Sequence, residues 1–95
     1  MYLEIISPEA ILYKGEVTSI SIPGTNGSFQ VLNNHAPTVS TLISGIAKIE
    51  GDLTIAVKYQ SFFSKKGKDT LLTLTNGGTF EVNSNKAILL SLIHI

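Results

Sequence analysis

The sequence predicts an all-β domain, an antiparallel β-sandwich of roughly eight to ten short strands. Three observations support this fold class. Apolar and polar residues alternate with a period of two in several short segments, turn-forming Gly, Asn and Pro residues separate those segments, and no segment sustains the 3.6-residue periodicity of an amphipathic helix. We therefore expect no helix longer than about two turns.

The predicted strands are short and follow one another closely along the chain. In order they are 1–6, 11–13, 17–22, 29–32, 38–43, 46–50, 53–60, 70–75, 79–82 and 86–95. Segment 38–43 could also form a single helical turn, but its Thr and Val residues favour the strand. The 95 residues make one domain, 1–95, without an internal repeat or linker.

Three local patterns make specific predictions about packing. The alternation in 53–60 predicts one buried face, formed by Leu53, Ile55, Val57 and Tyr59. The last strand is expected to direct Ile88, Leu90 and Leu92 to the core. The turn formers Asn76-Gly77-Gly78 predict a hairpin between the strands on either side of them.

Composition excludes several classes of function. The chain has no Cys, so neither disulfides nor thiolate metal sites stabilise it. Its net charge is zero and all seven basic residues are Lys, so the bidentate Arg contacts that recognise phosphate or guanine are absent and a nucleic-acid role is not expected. No segment approaches the roughly 20 apolar residues that span a bilayer, and the first ten residues do not resemble a signal peptide.

The segment 23–45 organises the chain, because turn formers surround a short apolar strand within it. Pro23 and Gly24 precede the strand, and Pro37 forces Ala36 into an extended conformation after it. This pattern predicts a structured corner that carries His35 to the surface. His35 could either contact a partner or hydrogen-bond local backbone to hold the corner.

Catalytic and metal-binding patterns are not recognisable. His94 is the only other histidine, and carboxylates do not cluster near either one. No Gly-x-Ser-x-Gly motif or phosphate-binding glycine loop occurs, so we expect no catalytic residue, no cofactor and no metal. The lysines at 65, 66 and 68 could contact an anionic surface, or they could form a solvated hairpin tip that discourages edge pairing.

An ordered set of motifs resembles a known family. The segment 23–45 contains Pro-Gly, Gly-x-Phe-x-Val-Leu, His-Ala-Pro and Leu-x-x-Gly. Ile-Ser-Pro-Glu at 6–9 and Tyr-Lys-Gly-Glu-Val at 13–17 come before it, and Gly-Gly-x-Phe-Glu-Val at 77–82 comes after it. Together they resemble the N-terminal domain of the epsilon subunit of F-type ATP synthases, whose mitochondrial counterpart is called delta. The resemblance covers nearly the whole chain and implies a β-sandwich.

The resemblance implies a non-catalytic rotor subunit that links the gamma subunit to the ring of c subunits during proton- or sodium-driven ATP synthesis. It also implies a peripheral location on the cytoplasmic face of the inner membrane, without insertion into the bilayer. A stand-alone β-sandwich binding module is the alternative, but the aromatic residues are scattered and Trp is absent. The candidate partner-binding residues are Asn26, Ser28, Asn33, Asn34, His35 and Thr38.

Three departures from the family pattern qualify these expectations. Family members often carry Gly-Glu where this chain has Gly27-Ser28, so this chain lacks the carboxylate that a charge-based contact with the c ring would use. The segment between Leu53 and Gly77 is longer than is usual for this domain. The C-terminal helical hairpin of many members does not follow Ile95. If Ile95 is the natural end, we expect no ATP binding and no restraint of hydrolysis by helix extension.

Overall fold

The computed structural model describes residues 1–32 and 35–92, and this part of the chain forms ten β-strands in one curled sheet. The strands are β1 (Tyr2–Ile6), β2 (Ile11–Glu16), β3 (Ser19–Gly24), β4 (Gly27–Val31), β5 (His35–Leu42), β6 (Gly45–Glu50), β7 (Phe63–Lys66), β8 (Asp69–Leu74), β9 (Gly78–Ser84) and β10 (Lys86–Ser91). The single helical element in these residues is a six-residue 3₁₀ helix, Val57–Phe62. The predicted all-β class and the limit on helix length are both confirmed for the described chain.

The sheet folds over itself into two layers. Its strand order is β2-β1-β10-β9-β5-β3-β6-β8-β7, and β4 pairs with β3 beside this path. Strand β3 connects the two layers, because its residues Ser19–Ser21 pair with β6 while Gly24 pairs with Leu42 of β5. The pairing of β1 with β10 is parallel and the other pairings are antiparallel.

The core lies between the two layers and draws on almost every strand. Its largest fully buried apolar side chains are Phe80, Leu3, Ile5, Ile20, Ile22, Ile49, Leu72, Leu74, Leu89, Val31 and Val82. Each side chain of this size contributes about 1.5–3 kcal/mol when it leaves water, so burial across the two layers holds the sandwich together without disulfides.

Segment 53–60 is not the predicted strand. Leu53 and Ile55 are buried, but Val57 is 83% exposed and begins the 3₁₀ helix, so the four residues do not share one buried face. The reason is competition for a pairing partner. Strand β6 lies between β3 and β8, and β8 lies between β6 and β7, so neither β6 nor β8 has a free edge to pair with the intervening segment.

The hairpin predicted at Asn76-Gly77-Gly78 is also wrong. Strand β8 belongs to one layer and β9 to the other, so the three residues connect the layers instead of joining paired strands. Gly77 has φ of 70° and lies against the backbone of Leu42. Asn76 Nδ2 donates a hydrogen bond of 3.3 Å to the carbonyl oxygen of Leu92. The glycines therefore serve a close backbone approach at a crossing between layers.

The last strand presents the opposite face to the one predicted. Ala87, Leu89 and Ser91 are buried, whereas Leu90 and Leu92 are exposed and Ile88 is half-buried. The tight turn between β9 and β10 sets this register, because it pairs Ala87 with Val82 and Leu89 with Phe80. Paired residues share a face of the sheet, and Val82 and Phe80 belong to the core, so Ala87 and Leu89 do as well. The predicted end of this strand, 93–95, lies outside the described residues.

The lysine-rich segment forms the end of a hairpin. Strands β7 and β8 pair from Phe63 opposite Leu72 to Lys66 opposite Asp69, and Gly67 turns the chain with φ of 62°. Strand β7 is an edge of the sheet and its lysines are exposed. This arrangement agrees with the solvated hairpin tip, whose charges oppose pairing with another strand.

Candidate partner-binding surfaces

The corner of segment 23–45 is held by backbone hydrogen bonds between the β3–β4 turn and β5. Thr25 N–H donates to the Thr41 carbonyl at 3.2 Å, and Ile43 N–H donates to the Pro23 carbonyl at 2.9 Å. Gly27, with φ of 115°, completes the turn into β4. These contacts fix the turn beside β5, so groups separated by a dozen residues in sequence come to one surface.

That surface is a shallow depression, which we call the corner depression. It is lined by Gly24, Asn26, Gly27, Phe29, Thr38, Val39 and Ser40. Two of the predicted partner-binding residues, Asn26 and Thr38, therefore lie together. Thr38 is half-buried and its Oγ1 donates to the Ala36 carbonyl at 3.0 Å.

The structure describes the other predicted partner-binding residues only in part. Ser28 is exposed on β4, opposite Pro23, and does not line the corner depression. The backbone of His35 begins β5 and pairs with Ser84, while its side chain is outside the described groups. Asn33 and Asn34 lie outside the described residues.

Sequence reasoning missed the apolar part of the corner depression. Val39 is 75% exposed, and Phe29 is half-buried with its ring edge-on to Phe80 at a centroid distance of 6.3 Å. The depression thus combines apolar side chains with the polar side chains of Asn26, Thr38 and Ser40. The exposed position of a Val in a strand of a β-sandwich could have signalled this, but only after the register of β5 was known.

A second surface, which we call the outer apolar patch, crosses the outward face of β2, β1 and β10. It consists of Ile6, Ile11, Ile88, Leu90 and Leu92. Ile6 pairs with both Ile11 and Leu90, so the side chains form a continuous row. Ile11 is 49% and Leu90 37% exposed.

Charged residues border the outer apolar patch. Lys86 Nζ lies 3.5 Å from Glu4 Oε1, one row beyond Ile88. An apolar centre with a charged margin is typical of protein–protein interfaces. Three of the patch residues were identified in the sequence as apolar, but the predicted register placed them in the core.

The described residues were also compared with the requirements of a metal site. Within residues 1–32 and 35–92, no group of three or more His, Cys, Asp or Glu side chains could hold a metal ion. Burial, reinforced by the nearby Glu16 and Tyr2, raises the pKa of Tyr13, so its phenol stays neutral and donates to the Glu16 carbonyl at 3.2 Å. None of the helices in this part of the chain has the length and hydropathy to cross a membrane.

Comparison with known proteins agrees with this architecture. The family model described as the β-sandwich domain of the ATP synthase delta/epsilon chain matches residues 1–92. The ATP synthase epsilon chain of Chlorobaculum tepidum is 38% identical over 89 residues, which are 94% of this chain and 85% of the relative. That of Leptospira borgpetersenii is 40% identical over 80 residues, and the match covers 83% of this chain but 63% of the longer relative.

Solved structures share the fold. A chain in the Tetrahymena thermophila mitochondrial ATP synthase central stalk and c-ring structure aligns with a TM-score of 0.68 at 20% identity, covering 98% of this chain and 63% of that one. A chain in the Euglena gracilis mitochondrial ATP synthase structure aligns with a TM-score of 0.74 at 24% identity, covering 98% and 51%. With the two-layer sandwich and a family match over residues 1–92, the chain belongs to the ATP synthase delta/epsilon family and comprises its β-sandwich domain.

Proposed function

We propose that the protein is a non-catalytic subunit of the rotating central stalk of an F-type ATP synthase, where it links the gamma subunit to the ring of c subunits. The observation that carries this proposal is the family match over residues 1–92. The names of the matched relatives, ATP synthase epsilon chains, support it. Linking two partners during rotation needs a stiff domain with two interfaces and no reactive side chain.

The packing of the domain suits this mechanical role. Both layers contribute fully buried side chains to one core, and β3 runs through both layers. Close-packed interiors are poorly compressible and transmit strain. A force applied at one surface of the sandwich therefore moves the whole domain.

The outer apolar patch is the surface we assign to the gamma subunit. Long-lived interfaces are more apolar at their centre than the rest of a protein surface, and this patch has five neighbouring apolar side chains with charges at its margin. Exposure of these apolar side chains to water does not stabilise the isolated domain. Contact with a permanent partner supplies the burial that the fold itself does not.

The β3–β4 turn and the adjoining corner are the surface we assign to the c ring. Asn26 and Ser28 are exposed there, and Val39 adds an apolar contact. Asn26, Ser28, Asn33, Asn34, His35 and Thr38 remain the proposed partner-binding residues, and Asn26, Ser28 and Thr38 are the ones we assign to this surface. In the sheet, β9 separates β10 of the outer apolar patch from β5 of the corner, so the two surfaces can be occupied together. The subunit would then be held peripherally, on the cytoplasmic face of the membrane, through its partners.

Cysteine cross-linking in the assembled complex tests both assignments, because the chain has no cysteine of its own. We expect a cysteine at Leu90 to cross-link to the gamma subunit and cysteines at Asn26 or Thr38 to cross-link to a c subunit. A cysteine at Thr73, exposed on β8 in the other layer, is the matched control and should remain unlinked.

Two outcomes would contradict the proposal. Cross-linking from Thr73 as efficient as from the other positions would mean that the contacts are not selective. Failure of all three test positions in a complex that contains the protein would mean that neither assigned surface faces a partner.

A further inference from the structure

A cavity lies beneath the segment that replaces the predicted seventh strand. Its volume is about 450 Å³, within the range of about 300–1,000 Å³ typical of small-molecule sites. One wall is the segment after β6, represented by Leu53 and Ile55. The opposite wall is the β7–β8 hairpin, represented by Phe63, Lys65 and Thr70. This region is separate from both surfaces assigned above.

Thr70 is the group in this wall that lacks a partner. It is 1% exposed and lies on the inward face of β8, between Ile49 on β6 and Lys65 on β7. Its Oγ1 is buried and has no hydrogen-bond partner within residues 1–32 and 35–92. Buried hydroxyl groups are nearly always paired in folded proteins, because an unpaired one loses its hydration without compensation. Val has almost the same shape and would avoid this loss, so the hydroxyl points to a contact from the cavity.

Lys65 places a positive charge over the same cavity. It is directly opposite Thr70 on the adjacent strand, and paired residues direct their side chains to the same face. Its ammonium group can only donate hydrogen bonds, and the Thr70 hydroxyl has its proton free to donate. Two donors, one of them charged, match an anionic acceptor such as a carboxylate.

The rest of the lining combines the apolar Leu53, Ile55 and Phe63 with the polar Thr54 and Gln60. Leu53 and Ile55 belong to the buried core cluster, and Phe63 packs against it. Gln60 Nε2 donates to the Ile55 carbonyl at 3.1 Å, which ties the 3₁₀ helix to the segment before it. The side of the cavity formed by Leu53, Ile55 and Phe63 therefore suits a short apolar body attached to the anionic group.

We propose that this cavity binds a small monocarboxylate with an apolar body. Its carboxylate accepts hydrogen bonds from the Thr70 hydroxyl and the Lys65 ammonium group, and its hydrocarbon lies against Leu53, Ile55 and Phe63. The proposal does not depend on the stalk function, since it concerns a different part of the surface.

Titration of the ¹⁵N-labelled protein with hexanoate, followed by amide NMR, tests the proposal. A ligand of this size is expected to bind with a dissociation constant of about 1 mM. Saturable shifts should appear at the amides of 53–60 and 69–71. Hexanol, which keeps the hydrocarbon but lacks the carboxylate, should bind at least several-fold more weakly.

Three variants separate the hydroxyl from the shape of the site. Thr70→Val should weaken hexanoate binding about tenfold or more, because a hydrogen bond to a charged group is lost. Thr70→Ser keeps the hydroxyl and should retain most of the affinity, which also guards against a general effect of substitution at this position. Thr73→Val, on the outward face of the same strand, should bind like the unmodified protein.

The proposal is overturned by any of three results. These are the absence of saturable shifts at about ten times the expected dissociation constant, equal affinity of the Thr70→Val and unmodified proteins, or equal affinity for hexanol and hexanoate. If Thr70→Val does not fold, the comparison of the two ligands on the unmodified and Thr70→Ser proteins still decides between these outcomes.

Discussion

Leu89 and Leu90 are consecutive residues of β10 with the same side chain, and the structure gives them opposite roles. Leu89 is completely buried opposite Phe80, while Leu90 is 37% exposed in the outer apolar patch. Replacing each in turn by Ala removes the same atoms from the two faces of one strand. The pair therefore tests the register of β10 without a change of chemistry.

The expected losses differ severalfold. Leu89→Ala removes side-chain carbons that are wholly out of water and leaves a cavity between the layers, which costs about 3 kcal/mol within a usual range of about 2–5 kcal/mol. Leu90→Ala removes carbons that are partly solvated already and leaves no enclosed cavity, so the cost is about 1 kcal/mol or less. For a domain of this size, about 1 kcal/mol corresponds to about 4–8 °C in Tm. We thus expect Leu89→Ala to lower Tm by about 12–24 °C and Leu90→Ala by less than about 8 °C.

Thermal unfolding followed by circular dichroism, with urea unfolding as a second measure, provides the assay. Equal losses of stability in the two variants, or a larger loss for Leu90→Ala, would refute this register of β10 and would mean that Leu90 is buried in the core. A change in the slope of the urea transition would signal a change in the unfolded state, and the comparison would then use midpoints at equal slope only.

Two further pairs of variants test other features of the fold. Ile55→Asp should cost several kcal/mol because it places a carboxylate among the buried apolar side chains of the core, whereas Val57→Asp, on a side chain that is 83% exposed, should change stability by about 0.5 kcal/mol or less. Equal losses of stability in urea unfolding would instead support a continuous strand over 53–60. Gly77→Ala and Gly67→Ala both place a side chain at positive φ, which costs about 1–2 kcal/mol. The new Cβ at 77 would also collide with the Leu42 carbonyl oxygen, while that at 67 meets open space. Gly77→Ala should therefore have clearly the lower Tm, and a similar Tm for both would contradict the close approach at the crossing.

The fold class could be predicted from the sequence because it depends on local patterns. Alternation in segments such as Ile20 to Ile22, together with Gly and Pro punctuation, is a direct consequence of the two-residue period of a strand. The corner at Pro23 and Gly24 was predicted for the same reason, since both residues restrict the backbone wherever they occur. The partner-binding surface at this corner could be predicted only in part, because Asn26 and Thr38 come together only when β5 lies beside the β3–β4 turn.

The wrong predictions concern which strands pair with one another and which face of a strand is buried. In β10 nearly every residue is apolar, so alternation carries little information, and the face was decided by the turn that pairs Leu89 with Phe80. Asn76-Gly77-Gly78 has the composition of a hairpin turn, yet the strands it joins find better partners in different layers. Thr70 could not be recognised from its sequence context, because its lack of a partner depends on the cavity wall formed by residues about 15 positions earlier.

The sequence by itself determined that this protein is built from short strands with sharp turns, because backbone preference and side-chain alternation are properties of each segment. Its ordered motifs also determined the family. The tertiary structure alone decided which strands pair, which face of β10 is inside, and which polar group is left facing a cavity. Those outcomes follow from competition among strand edges and from shared burial between residues far apart in the chain, and no single segment contains that information.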